Sequence, residues 1–165
     1  MFVLGIDPGL TRCGYGAVRR DGGALRPVAA GVLSTPAGTE LPERLAELQQ
    51  GIRSLLAELR PDAVAVERVF FQNNVRTAMS VGQASGVILA EAVAAGCSVV
   101  QYTPTQVKSA VTGSGSADKQ QVQRMVQSIL GLAAPPKPAD AADALALAIC
   151  HLGAAPLQAR IKAVS

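Results

Sequence analysis

Apolar positions divide this chain into short runs and one long periodic stretch. Leu41, Leu45, Leu48, Ile52, Leu55, Leu56 and Leu59 recur at spacings of three and four, which predicts an amphipathic helix laid against a sheet, stopped by Arg60-Pro61-Asp62. The runs read as strands. Phe2 to Ile6 is nearly continuous and suits a strand buried on both faces, closed by Asp7. Pro8-Gly9 breaks it, and Cys13 to Val18 resumes a β-like pattern, so the two segments read as a hairpin. Pro27 to Leu33 predicts a third antiparallel strand, followed by a Gly/Pro/Thr linker from Ser34 to Pro42. Ala63 to Val66 is a short buried strand ending in Glu67, and Ser98 to Tyr102 is a fifth.

The second half of the chain is mainly helical. Phe70, Phe71, Gln72 and Asn73-Asn74 lead into a helix from about Val75 to Ala95. Thr103-Pro104-Thr105 opens a short helix, with proline where its missing N–H costs nothing. Gly113-Ser114-Gly115-Ser116 reads as a flexible loop, and Asp118 to Leu130 as a helix with Val122, Met125, Val126 and Ile129 on one face. After the Pro-rich connector Ala133 to Pro138, Asp140 to about Leu152 is apolar almost all round, hence a buried helix. From Gly153 the pattern is lost. The expected organisation is one domain over 1–152 and a flexible tail over 153–165 that carries Arg160 and Lys162.

Composition narrows the class. The 165 residues are one domain's worth, 49% hydrophobic and 16% charged, with no run near the ~20 apolar residues of a membrane span. The start reads directly as a strand, so no export leader is expected. Cys13, Cys97 and Cys150 are odd in number and far from metal-ligand spacing, which fits a reducing cytoplasm. A net charge of +3 favours an anionic partner such as nucleic acid, although a modest excess of Lys and Arg also suits an ordinary solvated surface.

The candidate chemistry lies in four acids. Asp7 and Glu67 each end a buried strand at its C-terminal end, the side on which open α/β sheets bind ligands. Asp140 and Asp143 stand three apart in the first turn of the last helix and so share a face. Each acid has a plainer reading: Asp7 as turn chemistry, the aspartate pair as helix caps favoured by the dipole. Against caps alone, Ala144-Leu145-Ala146-Leu147-Ala148-Ile149 presses that helix into the core. Four converging carboxylates would repel one another and raise their pKa values, a conflict that divalent cations resolve. An all-oxygen set without His or Cys suits Mg²⁺ or Mn²⁺, and two ions about 4 Å apart serve phosphodiester hydrolysis. Gly82, Ala84, Ser85, Gly86 and Ala90 on the helix after Phe70 would let a second copy approach closely, or would pack that helix on its own sheet.

Five segments carry a family resemblance: Gly-Ile-Asp-Pro-Gly-Leu-Thr at 5–11, Ala-Val-Glu-Arg-Val-Phe at 65–70, Gly-Gln-Ala at 82–84, Thr-Pro-Thr-Gln-Val-Lys at 103–108 and Asp-Ala-Ala-Asp-Ala-Leu-Ala at 140–146. In this order they resemble the RuvC Holliday-junction resolvases, over about residues 2–152. The resemblance implies an RNase H-like α/β fold: a five-stranded mixed sheet, three antiparallel strands then two parallel, with helices on both faces. It also implies a homodimeric, Mg²⁺-dependent endonuclease of DNA recombination and repair that acts on four-way junctions. A branch-migration motor of the RuvA/RuvB type would be its partner. The family's metal-binding acids fall on Asp7, Glu67, Asp140 and Asp143; some relatives carry His at the position of Asp140. The family's DNA-backbone lysines match Lys108 and Lys119, and its base-stacking aromatic matches Phe70. Arg76, with Arg12, Arg68 and Arg124, is a weaker DNA candidate for which solvated surface is the plainer reading. His151 reads as structural. Two other readings stand beside the nuclease: a non-catalytic junction-binding protein on the same fold, and an actin-like or sugar-kinase ATPase. The ATPase needs two lobes, more than 165 residues supply.

Overall fold

The computed structural model describes residues 1–69 and 75–164, without the side chains of 75–77 and 156–164. The strands are β1 (Phe2–Asp7), β2 (Arg12–Asp21), β3 (Ala24–Ser34), β4 (Ala63–Glu67) and β5 (Ser98–Tyr102). The helices are α1 (Leu41–Leu59), α2 (Val75–Ala94), α3 (Pro104–Thr112), α4 (Lys119–Leu130) and α5 (Ala139–Val164). The sheet runs β3-β2-β1-β4-β5. The first three strands pair antiparallel, and β4 and β5 join in parallel. The five strands are those expected from the apolar runs, and their mixed arrangement is the one the motif resemblance implied.

Strand alternation sorts side chains between two cores. Phe2, Leu4, Ile6, Val64 and Val66 pack with α1 and α2, while Val3, Ala63, Ala65 and Val18 pack with α3, α4 and α5. By the two-residue period Asp7 and Glu67 fall on the α5 face, each one residue beyond the paired Ile6 and Val66. α5 is central to that face: apart from Asp143, every residue from Ala141 to Leu152 is buried. On the other face Glu91 of α2 accepts from Gln49 and Arg53 of α1, which ties those two helices together.

Four differences from the sequence reading have local causes. β3 begins at Ala24 rather than Pro27, because a tight Gly22-Gly23 turn, with φ +60° at Gly22, extends the ladder through Arg19–Arg26 and Asp21–Ala24. Pro27 is accommodated on this edge strand, at a register shift beside Val18 that leaves Val28 exposed. Met125 is not part of the buried face of α4; Val122, Val126 and Leu130 are, and Met125 sits on its flank, 38% exposed. The Gly113–Ser116 segment is a bonded turn rather than a loose loop. The Ser114 amide donates to Thr112 Oγ1, the Ser116 amide to Ser114 Oγ and the Ala117 amide to the Ser114 carbonyl. Finally, α5 runs to Val164 rather than ending near Leu152, in keeping with the helix-forming Ala, Leu, Gln and Arg beyond Gly153.

Candidate active site

Three glycines let α5 lie directly on the sheet. A Cβ on Gly5 would stand 2.0 Å from the Ala144 carbonyl oxygen, one on Gly14 2.2 Å from that of Asp140, and one on Gly16 2.6 Å from the Leu145 amide nitrogen. Gly5 and Gly16 are direct partners across β1 and β2. Helix backbone thus rests on strand backbone, and the first turn of α5 is delivered beside the ends of β1, β2 and β4.

The four acids meet there. Burial first, then the charges of Glu67, Asp143 and Asp140, push Asp7 from an ordinary 3.8 up to about 7, with Lys119 pulling the other way. Glu67 is also raised, by burial and then by Asp143, while Lys119 and Lys108 draw it down. Two of the acids hold side-chain cations. Arg12 donates from Nε and Nη2 to Asp140 Oδ2, both at 2.8 Å, and Lys119 Nζ lies 3.4 Å from Asp143 Oδ2. Lys119 is raised chiefly by that carboxylate. Among the described residues no three Asp, Glu, His or Cys side chains are gathered tightly enough to hold a metal ion as they stand.

Local sequence explains how the cations arrive. Asp118 caps α4 in a capping box with Gln121: the Gln121 amide donates to Asp118 Oδ1, and the Asp118 amide to Gln121 Oε1. Lys119 is therefore the first residue of α4. Thr103 and Gln106 form the same box at the start of α3 and so set the position of Lys108. The loop between Asp7 and Arg12 is held by the buried Thr35, whose hydroxyl donates to the Leu10 carbonyl at 2.6 Å. Arg44 of α1 clamps it further, with Nε on Thr35 Oγ1 at 3.0 Å and Nη2 on Thr11 Oγ1 at 2.7 Å.

A sequence model described as "Crossover junction endodeoxyribonuclease RuvC" matches residues 3–151. The chain belongs to the RuvC family. Relatives carrying the same description are 56% identical in Chloroflexus aggregans, covering 94% of this chain and 95% of the relative, and 58% identical in Streptomyces avermitilis, covering 98% and 93%. The solved structure of Thermus thermophilus RuvC in complex with a Holliday junction substrate superposes with a TM-score of 0.90 at 40% identity, over 96% of each chain. The fold is RNase H-like, as the motifs implied. Membership in this nuclease family sets aside the ATPase reading.

The structure brings Asp7, Glu67, Asp140, Asp143, Lys108 and Lys119 to one end of the sheet. Phe70 lies outside the described residues, and Arg76 is in α2 with its side chain undescribed. Arg68 is exposed, and Arg124 is exposed with Nη2 toward Gln120 at 3.3 Å. Arg12 is exposed, as a surface residue would be, and its guanidinium pairs with Asp140. His151 is buried, with Nδ1 2.8 Å from the Tyr102 hydroxyl. Sequence reasoning missed the Thr35–Arg44 clamp and the glycine bed. For the bed, Gly14 and Gly16 two apart on one strand were a usable signal of close approach on a single face.

Proposed function

We propose that this chain resolves four-way junctions, hydrolysing one phosphodiester in each of two symmetric strands, with the reaction centred on Asp7, Glu67, Asp140 and Asp143. The observation that carries the reading is the gathering of four carboxylates at one end of the sheet, with Glu67, Asp143 and Asp140 all acting on the half-buried Asp7. Such a group calls for positive charge from outside the chain. The donor set is all oxygen, as hard divalent cations require, and Mg²⁺, with Mn²⁺ as substitute and two ions per site, suits it. Held by Asp7, Glu67, Asp140 and Asp143, such ions would supply activation of an attacking water and stabilisation of the leaving oxygen.

The chain's own residues then do the rest. Asp7 and Glu67, fixed on rigid strand ends, orient the ligand oxygens, and the buried α5 holds Asp140 and Asp143 opposite them. Lys119 and Lys108 supply positive charge beside the acids for the incoming backbone phosphate. Phe70 is assigned the stacking of an unpaired base at the crossover, worth roughly 1–3 kcal/mol. Arg76 is assigned a backbone contact.

Paired cuts call for two sites related by a two-fold axis. α2 offers the surface: Met79 and Val93 are 58% and 64% exposed, and Gly82, Gly86 and Ala90 open to solvent between them. A homodimer across this stripe places one site on each equivalent strand. The same reading takes residues 1–152 as the nuclease domain and the enzyme as cytoplasmic, with a branch-migration motor as partner. No helix among the described residues is long and apolar enough to cross a membrane. The deciding experiment is nicking of a synthetic four-way junction with and without Mg²⁺. Symmetric, Mg²⁺-dependent nicks are expected, whereas junction binding without any nicking would leave a non-catalytic binder.

A further inference from the structure

Arg12 is the first residue of β2, and its side chain is anchored in one place. Nε and Nη2 converge on the same oxygen of Asp140, while 51% of the side chain remains exposed. Its backbone is fixed. The ladder pairs Arg12 with Ser34, the Thr35 amide donates to the Thr11 carbonyl at 3.2 Å, and Arg44 clamps Thr11 from α1. A Cβ on Gly9 would stand 2.0 Å from the Arg12 carbonyl oxygen, so the loop is closed on itself without slack. With the backbone held at these points, the half-exposed arginine side chain can leave Asp140 by a change of rotamer alone.

The contrast with Lys119 is chemical. An ammonium 3.4 Å from Asp143 is a loosely held point charge. The guanidinium instead directs two N–H donors at Asp140 Oδ2, neutralising the carboxylate at close range. Formally the four acids carry four negative charges, and Arg12 and Lys119 return two of them.

Resting on the reading of these acids as a divalent-cation site, we propose that Arg12 is a displaceable counterion of Asp140 that sets how much divalent cation the site requires. Arg12 and the cation compete for the negative charge of the Asp140 carboxylate. An ion pair this exposed shifts an equilibrium only a few-fold, so the expected effect on cation binding is modest.

The test is Mn²⁺ binding to the full chain without DNA, followed by loss of the free Mn²⁺ electron paramagnetic resonance signal and, separately, by thermal stabilisation. Arg12→Gln is expected to lower the half-saturating Mn²⁺ concentration roughly twofold to fivefold, and Arg12→Lys to fall between it and the unchanged protein. Arg26→Gln removes the same charge from an exposed pair with Asp21 at the far end of the β2–β3 hairpin and is expected to leave the midpoint where it is. An unchanged or higher midpoint in Arg12→Gln, with Mn²⁺ still bound by the unchanged protein, overturns the counterion role alone. An equal fall in Arg26→Gln overturns it too, by reducing the effect to net charge. No Mn²⁺ uptake by the unchanged protein would instead remove the cation reading of the acids, and this proposal with it.

Discussion

Gly14 lies so close beneath Asp140 that a single added Cβ would stand 2.2 Å from the Asp140 carbonyl oxygen and 3.0 Å from its own Cβ. Helix and strand here meet backbone to backbone, and the neighbour that would have to give way is rigid. Gly14→Ala is therefore expected to lift the start of α5 off the sheet, costing about 1–3 kcal/mol, the usual range for overpacking. Cleavage should fall by more than junction binding does. Thermal unfolding together with a nicking assay and a binding assay checks this, and full activity in a protein of unchanged stability would refute the close-packing argument.

On the proposed reading of Asp7 as a metal ligand, function comes at a cost in stability. Its carboxyl is raised in the folded chain from 3.8 to about 7, so the folded state holds its proton more tightly than the unfolded state does. Stability from this group is fully present below about pH 4 and is lost as pH rises to about 7. At roughly 1.4 kcal/mol per pKa unit, the ionised carboxyl costs of order 2–4 kcal/mol in the metal-free protein. Asp7→Asn should abolish cleavage, leave junction binding, and raise the melting temperature in chelator at pH 8. The stabilisation should be much smaller at pH 4.5. A variant less stable than the parent at pH 8 would contradict the crowding of the acids.

The exposed stripe of α2 makes a separable prediction. A Cβ at Gly86 meets nothing within 4 Å among the described residues beyond its own helix, and Gly86 is exposed, so Gly86→Arg should fold normally. Across a two-fold contact the same side chain would clash and carry charge into an apolar seam. Sedimentation should find the variant monomeric where the parent is dimeric, and junctions should be nicked on one strand rather than two. A dimer of unchanged affinity would place self-association elsewhere.

Tyr102 and His151 test what the chain's one histidine does. Burial lowers the His151 pKa, so its contribution to stability is present above its ordinary 6.5 and is lost as pH falls through that value and the unfolded state gains a proton. Tyr102→Phe removes the hydroxyl facing Nδ1 and is expected to cost about 1–3 kcal/mol in the unfolding free energy while cleavage stays near the parent rate. A large loss of cleavage with stability intact would give the pair a catalytic role instead.

Sequence alone determined the elements and the chemistry they carry. Apolar periodicity placed five strands and five helices, Asp7 and Glu67 at strand ends and Asp140 and Asp143 on one helix face, because such patterns are local and repeat every two or 3.6 residues. Tertiary structure decided what depends on approach between distant segments. The Gly113–Ser116 stretch read as a loop by composition, yet the hydroxyls of Thr112 and Ser114 accept from its amides and shape it into a turn. Arg12 is exposed as a surface residue would be, but its partner Asp140, 128 residues away, could not be read from the chain. Gly5, Gly14 and Gly16 are unremarkable in a row of letters; their role exists only because α5 crosses them at backbone distance, and no local pattern encodes which helix will arrive.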